Sequence, residues 1–171
     1  MSETKYSEEW AEIGQQVINE FADGKFKSII ELGLSIGYVV SEDAPERNGR
    51  ATLADCIPIK KDHQRQFNHH DYLIKIYSPN VAYMNEAQKR ILMEHELMHI
   101  KASENEDGEL KIGIRHHDVE DFKEIVKKYG MDWAKDVHQQ MTWEDLTDDE
   151  EGTPQKQIEG RQLLLSNTET A

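Results

Sequence analysis

Cysteine is nearly missing from this chain. Cys56 is the single one among 171 residues, so no internal disulfide can form, which suits a reducing compartment. Long apolar runs are missing as well. Nothing in the sequence approaches membrane-spanning length, and Met1 to Trp10 has no apolar stretch of the kind a secretion signal carries. A cytoplasmic protein with no membrane partner is expected. Positive charge is scarce: 20 lysines and arginines face 34 aspartates and glutamates, for a formal net charge of −14. Such a chain repels phosphate backbones, so no nucleic-acid partner is expected. The length suits one domain with a modest core.

Against this background one stretch stands out, Ile91-Leu92-Met93-Glu94-His95-Glu96-Leu97-Met98-His99-Ile100. It places His-Glu-x-x-His inside an otherwise apolar run. On a helix, residues four apart share a face, so His95 and His99 can hold one metal ion together. Glu96 follows the first histidine, where its carboxylate reaches a water at that metal without being a ligand. Two imidazoles and an acid–base carboxylate on one helix are the zinc-hydrolase arrangement. Asn85 is a suitable N-cap, and Gln88 three residues on completes a capping box. No proline or glycine interrupts Glu86 to Ala102, so the helix is expected to run through that span. The competing reading makes both histidines ordinary polar members of a half-buried helix.

The rest of the chain reads as scaffold. Met1 to Tyr6 is polar and expected to be loose. From Ser7, the spacing of Trp10, Ile13, Val17 and Phe21 predicts an amphipathic helix ended by Asp23-Gly24, with Trp10 as a core or capping aromatic rather than part of a pocket. Ile29 to Leu34 fits helix or strand, while Ile36 to Val40 reads as a strand. Ser41 to Arg50, with Pro45 and Asn48-Gly49, reads as a loop. Ala51 to Ile59 reads as a second strand, with Pro58 favouring an edge position or the strand's end. Lys60 to Asp71 is polar and holds His63, His69 and His70. A solvated loop is the preferred reading there, with a second metal site or an overhang of the active site as alternatives. Tyr72 to Met84 reads as a third strand, broken at Ser78-Pro79-Asn80. Its position before the His-Glu-x-x-His helix suggests that its open edge receives an extended peptide.

Beyond the helix, Ser103 to Gly108 is turn-like and Leu110 to Ile114 a short strand. Asp118 is a suitable N-cap for a helix with a stripe of Val119, Phe122, Ile125, Val126 and Tyr129, closed by Gly130. Met131 to Trp143 suggests another short helix, with Trp133 and Val137 inward and His138 at the surface. Six of the eight residues from Glu144 to Glu151 are acidic. Residues 1–143 are therefore expected to form the domain, and 144–171 a weakly ordered acidic tail in which Leu163-Leu164-Leu165 could dock on the domain or a partner.

A catalytic zinc site usually has three protein ligands and one open position. Candidates for the third are His117, His116, Asp118 and Asp121, with Glu104 and Glu106 too close to the helix end to fold back easily. His117 leads, because it abuts the following helix eighteen positions past His99, and His116 is its strongest competitor. Candidates for a second electrophile are Arg115, His116, Tyr83 and Tyr129. Glu94 and Asp118 are candidates for orienting the imidazoles.

The pairing of His95-Glu96-Leu97-Met98-His99 with a downstream His117-Asp118-Val119-Glu120-Asp121-Phe122 resembles the phage metallopeptidase family, small zincin-like proteins of phages and integrated elements. More distantly it resembles the SprT-like proteins, although no cysteine-rich zinc ribbon follows the core here. The resemblance spans roughly Phe26 to Gly130. It implies an α+β zincin-like core with a small, mostly antiparallel sheet packed on an N-terminal helix and the His-Glu-x-x-His helix, and a third-ligand helix after it. It also implies zinc as cofactor, His95, His99 and His117 as ligands, Glu96 as catalytic acid–base, and a phage or prophage origin within a bacterial host.

The leading expectation is thus a zinc-dependent peptidase acting on a protein. The alternatives are a catalytically silent zincin fold that binds or inhibits a partner through its acidic surface, and a metal-dependent hydrolase of a non-peptide amide. Two or three imidazoles also suit manganese, iron or another divalent ion.

Overall fold

A computed structural model describes residues 3–117 and 122–134. In chain order the elements are strand β1 (Thr4–Tyr6), helix α1 (Glu8–Glu20), helix α2 (Lys27–Glu31), strands β2 (Ile36–Ser41), β3 (Glu46–Arg47), β4 (Arg50–Ala51) and β5 (Ala54–Pro58), a 3-10 segment (Lys61–Phe67), strand β6 (Tyr72–Tyr77), helices α3 (Ser78–Val81) and α4 (Glu86–Met98), strands β7 (Ile100–Glu104) and β8 (Leu110–Ile114), and helix α5 (Lys123–Tyr129). The fold is α+β, as expected. Its main sheet has the order β1-β2-β6-β5, antiparallel except for the β2–β6 pair. Two small antiparallel hairpins, β3–β4 and β7–β8, complete it.

Period-two alternation sorts the faces of β6. Tyr72, Ile74 and Ile76 are fully buried, the two isoleucines in the main core under the helices. Leu73, on the opposite face, joins Val39 and Ile59 in a second, smaller cluster. Helix α1 presents Trp10, Ile13, Gly14, Val17 and Ile18 to the core. Gly14 is required there: a Cβ would lie 2.4 Å from the ring of Tyr38 on β2. Exposed ion pairs Lys89–Glu9 and Arg90–Glu20 rim the contact between α1 and α4.

Several expectations are corrected. Thr4 to Tyr6 are not loose: they pair with Ser41 to Val39, because β2 would otherwise leave a row of backbone donors and acceptors unmatched. Residues 41–50 are not all loop. Asn48 and Gly49, with φ of 54° and 73°, form a two-residue turn between β3 and β4. The second strand is split into β4 and β5. Strand β6 has no open edge, since it lies between β2 and β5; the edge strands of this sheet are β1 and β5, and Pro58 closes β5. Helix α4 stops at Met98 and the chain turns into β7 at Ile100, so the uninterrupted run to Ala102 does not form. Helix α5 begins at Lys123 with Phe122 as N-cap, later than Asp118. Residues 118–121 and the segment from 135 onward, with Val137, His138 and the acidic tail, lie outside the described residues.

Among the described residues no helix is long and apolar enough to cross a membrane.

Candidate metal centre

Helix α4 starts as its sequence dictates. The Asn85 side chain accepts from the Gln88 amide at 2.9 Å, and the Gln88 side chain accepts from the Asn85 amide at 3.0 Å. From Ile91 to Met98 every residue is buried, which includes two carboxylates and one imidazole. Burying a charge is costly unless partners compensate it, so each of these groups must have a purpose or a partner.

His95 and His99 share a face of α4. His99 is the C-cap, but its φ of −69° and ψ of −20° are helical, so the four-residue spacing holds through it. The β7–β8 hairpin then returns the chain to this point. Its ladder pairs Ile100 with Ile114 and continues outward: the Arg115 amide donates to the His99 carbonyl at 2.8 Å. Two residues later His117 reaches the helix. Its Nε2 lies 2.9 Å from Nε2 of His95 and 2.9 Å from Nε2 of His99. His116 is exposed and stands outside this group, as do Glu104 and Glu106.

The chemistry of this donor set fits a metal ion. His99 Nδ1 lies 2.7 Å from the Arg115 carbonyl oxygen, which can only accept, so Nδ1 carries the hydrogen and Nε2 carries the lone pair. A single hydrogen on His117 Nε2 cannot point at two neighbouring ring nitrogens at once. Three convergent imidazole nitrogens, all within 4.8 Å of one another, could hold a cation among them.

Phe122, fully buried, lies against all three rings, with centroid distances of 5.2, 4.9 and 5.1 Å to His95, His99 and His117. The Arg115 guanidinium covers the same ring at 4.7 Å. Sequence periodicity marks Phe122 as one more apolar residue of a stripe. Its contact with the histidines follows from the helix beginning just after it. Trp133, inward as expected, stands 6.0 Å from the His95 ring.

His95, Glu96, His99 and His117 open on one cavity of about 470 Å³. Strand β5 and the segment before it line it with Thr52 to Cys56, and the β3–β4 hairpin contributes Arg47 and Arg50. Leu92, Ile114, Trp133 and Ala134 supply apolar surface. Glu96 is buried at 4% exposure and borders this space. Cys56 also borders it, and burial pushes its thiol pKa up, with the nearby Glu96 and Asp55 carboxylates adding to the effect.

Other candidates are placed elsewhere. Glu94 does not orient the imidazoles. Its buried carboxylate accepts from Lys25 and from the Tyr129 hydroxyl at 2.6 Å, with Lys128 4.0 Å away. Tyr129, thus engaged, does not border the cavity, and neither does Arg115. Tyr83 donates to the Ala134 carbonyl and so ties down a cavity wall. His70 packs beside Gly37 and lies 2.8 Å from the Ser35 hydroxyl. The only group of three or more potential metal donors among the described residues is His95, His99 and His117. Sequence reasoning missed Arg47, Arg50 and Asp55 as cavity residues. The Asn48-Gly49 turn signal was the one available clue to the hairpin that carries the two arginines.

Comparison with curated proteins and with solved structures gave no match. A family model described as "Putative phage metallopeptidase" matches residues 2–148. With that span covering most of its length, and with a histidine cluster that could hold a metal, the chain belongs to the phage metallopeptidase family.

Proposed function

We propose that the protein is a zinc-dependent peptidase in which His95, His99 and His117 hold the ion and Glu96 is the catalytic acid–base. The observation that carries this reading is the convergence of three imidazole nitrogens beside a buried glutamate on one cavity wall. These three rings would hold a zinc ion, which would supply Lewis acidity to a water molecule and to the substrate carbonyl.

The chain's own residues account for the remaining needs. Glu96 accepts a proton as the water oxygen bonds to the scissile carbonyl carbon. It delivers that proton to the nitrogen as the carbon–nitrogen bond breaks. His99 is held in one tautomer by the Arg115 carbonyl, which keeps its Nε2 lone pair directed at the cluster. Phe122 and Trp133 keep bulk water from the rings on the protein side. Strand β5 ends the sheet and pairs only with β6 among the described residues. An extended substrate segment adds to its outer edge through main-chain hydrogen bonds, which brings a peptide bond across the cavity toward Glu96.

The test is Glu96→Gln. The variant should keep its metal and lose on the order of 10²–10⁴-fold in peptide cleavage. A variant that still cleaves at the wild-type rate would remove Glu96 from the mechanism. A biological effect fully retained by the inactive variant would favour the partner-binding alternative.

A further inference from the structure

The lining of the cavity includes a group that the hydrolytic reading does not use. Arg47 extends from β3 and forms a two-pronged pair with Asp55 of β5, Nη1 to Oδ1 at 3.0 Å and Nη2 to Oδ2 at 3.1 Å. The Tyr77 hydroxyl donates to the same Oδ2 at 2.7 Å. Asp55 is therefore held from both sides, by the neighbouring strand and by the hairpin.

As a stability device this pair is weak. The Arg47 side chain is 68% exposed, and an ion pair in water at that exposure contributes little. As an orienting device it is effective. A guanidinium has five N–H donors in a rigid plane, and Asp55 engages two of them. The others remain on a side chain that borders the same cavity as Glu96 and the three histidines. Arg50, from the other strand of the hairpin, borders it too.

We propose that Arg47, oriented by Asp55 and Tyr77, binds a carboxylate of the substrate next to the scissile bond. This rests on the reading of the cavity as a peptide-binding site. The chemistry recognised is a planar anion that takes two parallel N–H bonds, for which arginine is suited and lysine is not. The protein's net charge of −14 opposes an acidic substrate at a distance, but that field is screened beyond about 8 Å at physiological salt. Direct contact with Arg47 prevails inside the cavity. The carboxylate has two possible sources, an Asp or Glu side chain or the substrate's own C-terminus, and the two are separable by experiment.

The experiment uses the zinc-loaded full chain carrying Glu96→Gln, so that peptides bind without turnover. Labelled alanine-based peptides carry Glu, Gln or Lys at one position at a time, each as the free acid and as the C-terminal amide. Binding is read by fluorescence anisotropy. One Glu position should bind about tenfold or more tighter than its Gln counterpart. Adding Arg47→Gln should bring that ratio to within about twofold, and Arg47→Glu should turn the preference toward Lys. Asp55→Asn should reduce the ratio in part, since the guanidinium stays but loses its fork. A preference that follows free acid over amide, and vanishes with Arg47→Gln, assigns the carboxylate to the C-terminus. Equal binding of Glu, Gln and Lys peptides together with equal binding of free acids and amides, a preference of either kind that survives Arg47→Gln, or no peptide binding at all would overturn the proposal. Cleavage by the wild-type protein is scored separately. Arg47-dependent binding without any cleavage contradicts the peptidase reading alone, and cleavage without carboxylate preference contradicts this proposal alone.

Discussion

His99 and Arg115 are joined twice. The Arg115 amide donates to the His99 carbonyl at 2.8 Å, and the His99 ring donates from Nδ1 to the Arg115 carbonyl at 2.7 Å. The first bond continues the β7–β8 ladder, and the second sets the ring's tautomer. One hairpin thus delivers His117 to the helix and orients a histidine already on it.

This hairpin is anchored to the main sheet by Tyr72. Its hydroxyl accepts from the Gly113 amide at 3.1 Å and lies 2.9 Å from the carbonyl oxygens of both Lys101 and Gly113. Tyr72→Phe should cost about 1–3 kcal/mol of stability. It should also weaken metal retention by up to about tenfold, measured by chelator competition. Loss of stability with unchanged metal affinity would show that the hairpin holds its register without this anchor.

Glu94 ties the C-terminal end of α5 and the turn before α2 to α4. Removing Tyr129 from this cluster leaves the carboxylate with its lysines, whereas removing the carboxylate's charge takes the anionic partner from Lys25 and Lys128. Tyr129→Phe should cost about 1.5–3 kcal/mol and Glu94→Gln about 2–4 kcal/mol in denaturant unfolding. The reverse order would mean that Lys25 and Lys128 find solvent at no cost.

Tyr77 titrates late. Burial and the Asp55 carboxylate push its pKa from 10.0 up to about 12. Between those values the folded chain keeps a proton that the unfolded chain has released. Its contribution is therefore complete below pH 10 and is lost as pH climbs toward about 12. Unfolding measured across that window should show a steeper alkaline loss for the wild type than for Tyr77→Phe. Parallel curves would contradict the Asp55 contact.

Gly14 is a packing glycine rather than a turn glycine. Gly14→Ala gains helix propensity on α1 but drives a methyl into Tyr38. The clash should win, with a net loss of about 1–3 kcal/mol. A stabilised variant would show that the Tyr38 ring is free to swing aside.

The helix with His95, Glu96 and His99 was legible because capping box, apolar run and four-residue spacing all agreed on it. The placement of Trp10, Trp133 and the core face of β6 followed from periodicity in the same way. What escaped was decided by partners distant in sequence. Thr4 to Tyr6 looked loose because nothing local shows that β2 needs a neighbour. The stop at Met98 has no proline or glycine to announce it, since the turn into β7 is imposed by hairpin pairing. The open edge was assigned to the strand ending at Tyr77, and Pro58 alone, which suits an edge or a strand's end, could not move it to β5. Glu94 could not be oriented from sequence, because Lys25, Lys128 and Tyr129 lie far from it along the chain.

The central claim is tested most directly by the metal content of purified wild-type protein beside His99→Ala and His117→Ala. The account predicts about one zinc per chain in the wild type and loss of zinc in both folded variants. Zinc kept after His117→Ala, or a folded wild-type protein that takes up no zinc when it is supplied, would contradict it.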